Sequence, residues 1–501
     1  MNLKTVRVER AASATRAADK RERARDPRSS EAMTADEAAL TSVGPVDGRY
    51  RSRTRFLEKY FSEFALIRYR VRVEIEWYLA LAAEPKIDAL KPVSAATARS
   101  LRAIYSGFSP ADARRVKALE AQTNHDVKAV EYLIKERLPA IDADLPLEMV
   151  HFGCTSEDIN NLAYSLILKE FADNELIPRI DSVIRKLADL AHRYKAAPMI
   201  ARTHGQEASP TTIGKEMAIF AGRLARQLEI LRRQEYLGKF NGAVGNFNAH
   251  VFAYPEVDWI ALSRAFVEGM GLTWNPLTTQ IESHDFIAEM LATVSRIDTI
   301  LLGLCRDMWA YIAIGYFRQR TVEGETGSSV MPHKINPIDF ENAEGNFGIA
   351  NAMFGHLIEK LPISRWQRDL SDSTALRALG PAFGHVIIAL AALERGLSRV
   401  EVDQSRLAED VDSEHAWEVV SEAIQTLMRR YALPRPYETL KELTRGRRVD
   451  RAAIDRFVDS LPIKQSAKTR LRELSPRNYV GLASELVERF APSDGSHPRS
   501  Q

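Results

Sequence analysis

The chain has 501 residues, more than one hydrophobic core usually serves, so two or three structural units are expected. Lys and Arg number 69 against 67 Asp and Glu, which leaves no broad positive field for gripping a nucleic-acid backbone; any phosphate must be held locally. The 45% hydrophobic and 27% charged content is that of an ordinary soluble protein, no uninterrupted apolar stretch reaches the length of a membrane span, and two cysteines are too few for a disulfide framework.

In chain order, the first 32 residues carry nine Lys or Arg, five acids and almost nothing large and apolar, so an unfolded extension is expected at 1–32. The acids Glu9, Asp19, Glu22, Asp26 and Glu31 weigh against a transit peptide. Met33 stands shortly before Ser42-Val43-Gly44-Pro45-Val46-Asp47-Gly48-Arg49-Tyr50 and is the expected start of the folded protein. Helical periodicity dominates from Phe56 onward and strand alternation is scarce, which predicts an all-α fold. Ile213, Met217, Phe220, Leu224, Leu228 and Leu231 fall at steps of three and four. So do Ile287, Leu291, Val294, Ile297, Leu301, Leu304 and Met308. Both stripes predict long core helices buried on several sides, as when subunits share a bundle. Three helical units are expected, at 33–145, 146–397 and 398–490, with a loose Ser, Pro and Gly-rich tail at 491–501. Cys154 and Cys305 read as small buried side chains, and such cysteine usage suits a reducing cytoplasm.

Five constellations interrupt the helical background, and four place polar residues and glycine just before an amphipathic helix, where backbone N–H groups are free for anions. Thr123-Asn124-His125-Asp126 reads locally as an N-cap. Cys154-Thr155-Ser156-Glu157-Asp158 has Thr155 and Asp158 at capping-box spacing, which leaves the paired Asn160 and Asn161 unexplained. Arg202-Thr203-His204-Gly205-Gln206 puts a histidine among polar neighbours at an expected helix entrance, though an isolated histidine is more often structural. Gly327 to Pro337, reading GSSVMPHKINP, combines a flexible lead, Lys334, Asn336 and two stiffening prolines, a composition suited to closing over an anion. Arg365, Arg368 and Arg377 with Ser371 and Ser373 offer a cradle for a phosphate, or else a solvated charged face. No GxxxxGK[ST] loop, HExxH or paired CxxC occurs, and Gly242-Ala243-Val244-Gly245 lacks a third glycine, so the sequence gives no support for nucleotide triphosphate hydrolysis, a cofactor or a required metal.

The Gly327 to Pro337 run resembles the signature loop of the fumarase/aspartase superfamily, and the following Ile338 to Asn346 narrows the likeness to the bacterial adenylosuccinate lyase family. All five segments match that family, from about Ser42 to about Arg489. The resemblance implies elimination of fumarate from adenylosuccinate, giving AMP, and from the succinyl-carboxamide ribotide of purine synthesis. It implies a cytoplasmic homotetramer with active sites shared between subunits, and neither nucleic acid nor membrane as a partner. By likeness Ser328 is the base and His204 the acid, with Glu341 orienting His204. His125, with Asn124 and Asp126, lies near the reacting centre. Thr155, Ser156, Ser329, Lys334, Ile335 and Asn336 face the charge left behind. Arg49, Tyr50, Arg368, Ser373, Thr374, Ala375, Leu376 and Arg377 take the phosphate and sugar, with Gln280 and Asn342 completing the site. The extension at 1–32 and Val330 in the loop depart from the family pattern, and neither touches these positions. A sister lyase for argininosuccinate would keep the loop without needing the arginine cradle, and a helical oligomer that had lost catalysis would be free to lose His204, Ser328 or Lys334.

Overall fold

The two apolar stripes form long helices. In a computed structural model that describes residues 35–320, 331, 334–444 and 450–492, Ile213–Arg232 and Asp285–Ala313 are helical, and every residue of both stripes is buried. The chain divides into two units, residues 1–55 and 56–501. The described part of the first contains the helix Ala35–Thr41 and a turn leading through Arg49 and Tyr50 into the short helix Arg51–Thr54. The Thr54 hydroxyl donates to the Val46 carbonyl at 2.7 Å and closes that turn. The Arg49 and Arg53 guanidinium carbons each sit 6.0 Å from the Tyr50 ring centroid, the outer limit of a cation–π contact. The expected extension at 1–32, the Met33 start, Ser328, Ser329 and all but two residues of the expected tail lie outside the described residues.

In the second unit, α1 (Glu63–Ala83), α2 (Asp126–Ile141), α3 (Ser156–Phe171) and α4 (Ile177–Arg193) come first. A hairpin of β1 (Pro198–Thr203) and β2 (Gln206–Thr212) leads into α5 (Ile213–Arg232) and α6 (Asp285–Ala313). Then come β3 (Phe317–Gln319), α7 (Ile338–Lys360), α8 (Ser371–Leu376), α9 (Leu379–Arg399) and β4 (Val400–Val402). Among the described residues the strands form three two-stranded pairings, including a short parallel one between Leu237-Gly238 and Thr273-Trp274, so the fold is mainly α as the periodicity predicts. Helix starts follow capping chemistry: Ser62 accepts from the Ala65 N–H at 3.1 Å to start α1, and Thr212 accepts from the Lys215 N–H at 3.2 Å to start α5.

Helices α4, α5, α6, α7 and α9 each pack on the next, and α9 returns to α4, so the five enclose the core. Phe383 of α9 sits 4.9 Å from Phe171 of α3 and 5.2 Å from Phe354 of α7, tying the ring to the N-terminal helices. One helix is apolar enough on average to pass for a membrane span, although no uninterrupted apolar stretch reaches that length. Within residues 371–399 a window reaches a mean hydropathy of 1.7, yet 72% of it is buried inside the protein, because α9 has helices packed on both sides. It is a core helix.

The same core holds a carboxyl with nothing to bond. Asp298 on α6 is fully buried, and neither carboxylate oxygen has a hydrogen-bond partner among the described residues. Burial alone pushes its pKa well above the usual carboxylate range. A folded-state pKa above the unfolded value of about 3.9 means that the stability of the neutral acid is present below that pH and is lost as pH rises toward the folded value. Asp298→Asn removes this titration. The difference in unfolding free energy between variant and parent should therefore move in the variant's favour from pH 5 to pH 8, with a slope of up to about 1.4 kcal/mol per pH unit. A difference constant across that range would mean that Asp298 is already ionised in the fold.

Candidate active site

The start of α3 is fixed by one carboxylate. Asp158 Oδ2 accepts from the Thr155 N–H at 2.8 Å, the reverse half of the capping box read from the sequence. Its Oδ1 accepts from the backbone N–H groups of Asn241 at 3.0 Å and Gly242 at 3.3 Å, and lies 2.9 Å from the Lys239 ammonium. Both side chains of that ion pair are fully buried. Asn161, unexplained in the sequence, donates to the Lys239 carbonyl at 3.0 Å and accepts from the Lys239 N–H at 2.8 Å. The α3 entrance with Thr155 and Ser156 is thereby joined to residues 239–242. Gln280 carries the contact onward: its side chain donates to the Ala243 carbonyl at 2.9 Å, and its N–H to the Gln367 carbonyl at 3.3 Å.

Arg368 follows directly. Its Nη1 lies 2.9 Å from Glu157 Oε1, an oxygen that also accepts from the Asn160 amide at 2.8 Å. Asn160 Oδ1 accepts from Arg70 Nε at 2.8 Å, and Arg70 Nη2 reaches Asp126 at 2.7 Å. Burial alone would raise the Asp126 pKa, but the Arg70 charge and the Val127 N–H outweigh it and hold the carboxyl below its ordinary value. His125 caps α2 as read from the sequence: its Nδ1 accepts from the Lys128 N–H at 3.2 Å, which places the proton of the neutral ring on Nε2. Asn124 ends the preceding helix in the left-handed region, at φ 51. Asp126, Thr155, Ser156, Gln280 and Arg368 are thus on one connected framework, with Asn124 and His125 at its α2 end.

The arginine cradle is uneven. Arg368 is largely enclosed, at 16% side-chain exposure, whereas Arg365 is 84% exposed and pairs only loosely with Asp369 at 3.7 Å, so Arg365 belongs to the solvated-face reading. Ser373, Thr374, Ala375 and Leu376 lie in α8, and exposed Arg377 donates to the Ser373 carbonyl at 3.0 Å. The Leu376 side chain is buried in the core, which leaves only its backbone available to a ligand. Asp372 pins α8 against His284 at 3.3 Å; burial opposes ionisation of that carboxyl, but the His284 hydrogen bond and charge, with Arg368, bring its pKa below the usual value.

His204 departs from its expected helix entrance. Thr203 pairs with Gln206, so His204 and Gly205 form a two-residue hairpin turn with φ values of 55 and 77, and α5 begins only at Ile213. The turn leaves the His204 imidazole exposed, without a hydrogen-bond partner among the described residues. Lys334 is exposed at its side chain, and its N–H donates to the Met331 carbonyl at 3.0 Å. The Ile335 carbonyl accepts from the Gln319 amide at 3.0 Å, which fastens this segment to β3; Asn336 lies between it and α7. Glu341 on the first turn of α7 accepts from the Trp309 indole N–H at 3.1 Å, and Asn342 accepts from the Asn346 amide at 2.9 Å through its carbonyl. No described hydrogen bond or ion pair joins His204 to Glu341, or either to the framework around Arg368, within one chain. Arg49 and Tyr50 belong to the first unit.

Several residues of this framework have no role in the sequence reading. Arg70, Glu157 and Lys239 are buried charges whose partners lie across tertiary contacts. His151, at φ 61, sits 2.6 Å from the fully buried Glu74; burial alone would lower the His151 pKa, but the Glu74 charge and hydrogen bond raise it. Next to it Gly153, at φ 73, leaves room for the buried His250 ring, and a Cβ there would collide with that ring. The positive-φ glycine before Cys154 was the one local signal.

Comparison with known proteins places this geometry. A family model described as lyase matches residues 48–353, and one described as adenylosuccinate lyase C-terminal matches residues 364–480. The adenylosuccinate lyase of Vibrio cholerae is 53% identical over 455 residues, covering 90% of this chain and 99% of that protein. That of Escherichia coli K12 is 50% identical over 452 residues, covering 90% and 99%. Among solved structures, a fumarate lyase from Mesorhizobium sp. BNC1 shares the fold with a TM-score of 0.68 at 20% identity, covering 87% of this chain and 97% of that one. Fold and signature segments define a lyase of the fumarase/aspartase type. More narrowly, the chain belongs to the adenylosuccinate lyase family.

Lys239 offers a stability test of the framework. Lys239→Met strands the Asp158 carboxylate in a fully buried position and should cost roughly 3–5 kcal/mol in chemical or thermal unfolding. A loss within the ordinary surface range of about 0.5 kcal/mol would show that Asp158 does not depend on this partner.

Proposed function

We propose that this chain eliminates fumarate from adenylosuccinate, and from the succinyl-carboxamide ribotide of purine synthesis, by general acid–base catalysis at sites completed between subunits of a homotetramer. The observation that supports this substrate class best is Arg368, whose guanidinium is tethered at one nitrogen by buried Glu157 while its remaining donors have no described partner. A guanidinium fixed in this way is ready for a phosphate. A sister lyase acting on argininosuccinate has no phosphate to place there.

The reaction needs a base for the Cβ proton, donors for the doubly charged aci-carboxylate and an acid for the departing nitrogen. We assign the acid to His204, whose exposed imidazole stands at the tip of a strained turn, and its orientation to Glu341 of another subunit. Ser328 is the base by family likeness. Lys334, Asn336, Ser329 and the α3 entrance at Thr155 and Ser156 supply the anion donors. Asn124, His125 and Asp126 lie at the reacting end; Arg368, Ser373 and Arg377, with Arg49 and Tyr50, hold the nucleotide end. The single-chain separation of His204 from Glu341 accords with sites built from more than one subunit. The same reading makes the three helical units at 33–145, 146–397 and 398–490 the enzyme's domains and the cytoplasm its compartment. It involves neither nucleic acid nor membrane.

His204→Gln should lower kcat for adenylosuccinate on the order of 10²–10⁴-fold, with AMP affinity and oligomer mass retained. Near-normal kcat would remove His204 from proton transfer.

A further inference from the structure

Asn160, Glu157 and Arg70 take no part in the chemistry assigned above, yet they link its two ends. Four charges alternate along one path: Asp126, Arg70, Glu157 and Arg368, with the Asn160 amide bridging Arg70 to Glu157 through contacts of 2.7 to 2.9 Å. The interior members are enclosed, with relative exposures of 3% for Arg70, 2% for Glu157 and 7% for Asn160. The ends are open, with side-chain exposures of 31% for Asp126 and 16% for Arg368. A buried charge is tolerated only when paired, and each interior charge here has partners on both sides, so none moves without stranding another. Glu157 Oε1 accepts from both Asn160 and Arg368, and so fixes one edge of the Arg368 guanidinium fork.

We infer that Glu157 is a positioning residue that aims Arg368 at the nucleotide phosphate, and that the Asn160–Arg70 bridge sets the spacing between this phosphate end and the Asn124-His125-Asp126 end. The inference rests on assigning Arg368 to the phosphate. In the tetrameric enzyme it predicts a split between binding and turnover. Glu157→Gln keeps the shape of the side chain but withdraws its charge, so AMP affinity should fall roughly tenfold and KM for adenylosuccinate should rise in parallel, while kcat stays within about threefold. Inhibition by fumarate, which has no phosphate, should not change.

The decisive measurement is a double-mutant cycle with AMP titrated by calorimetry against the parent, Glu157→Gln, Arg368→Ala and the double variant. If Glu157 acts through Arg368, adding Glu157→Gln to Arg368→Ala brings no further loss. Additive losses would overturn the inference, as would an unchanged AMP affinity in Glu157→Gln alone. If Arg368→Ala itself left AMP binding intact, the phosphate assignment would fall and this inference with it. Should Glu157→Gln not fold, Glu157→Asp keeps the charge one methylene further back, and the same cycle applies with a smaller expected loss.

Discussion

The structure around the candidate site depends on the Asp158 carboxylate. It collects three backbone N–H groups and one ammonium in a place that water does not reach, so that its charge is matched and its lone pairs are used. Thr155 is the residue before α3, and Lys239, Asn241 and Gly242 lie on a segment about eighty residues later, so one side chain binds two distant stretches of chain. Gln280 and then Gln367 extend that attachment to Arg368. Asp158, Asn161 and Gln280 thus hold the segments that carry Thr155, Ser156 and Arg368 to one another.

Much of this was legible locally. The stripes of α5 and α6 follow from steps of three and four because burial on a helix has that period. The caps at His125 and Thr155 were legible because a cap is satisfied within three residues. The hairpin was missed because β1 and β2 are short and His-Gly is not the usual Asn-Gly turn; a helix entrance and a strand turn both call for polar residues and glycine. Arg70, Glu157 and Lys239 were unreadable for a different reason. A buried ion pair between residues separated by tens to hundreds of positions leaves no local pattern, and a lone Arg, Glu or Lys in a helical sequence reads as surface. The hydropathy of α9 is high for the opposite reason, since a helix packed on several sides is as apolar as one in lipid.

His204 combines backbone strain with exposure. A left-handed backbone at a non-glycine residue costs on the order of 1 kcal/mol or more, and asparagine would occupy the first position of this turn more comfortably. The turn projects the His204 imidazole into solvent, a placement that the proton-transfer role proposed above would use. Glu341 and Lys334 stand on or beside the start of α7, anchored through Trp309 and Gln319 within their own chain.

The central claim is that these residues form a site for a phosphate-bearing succinyl purine substrate. Its most direct measurement follows the absorbance of adenylosuccinate on addition of the purified chain, with AMP and fumarate quantified at the end point and argininosuccinate run in parallel. The account predicts loss of adenylosuccinate with AMP and fumarate formed in equal amounts, and no turnover of argininosuccinate. Stable adenylosuccinate, or release of fumarate from argininosuccinate at a comparable rate, would contradict it.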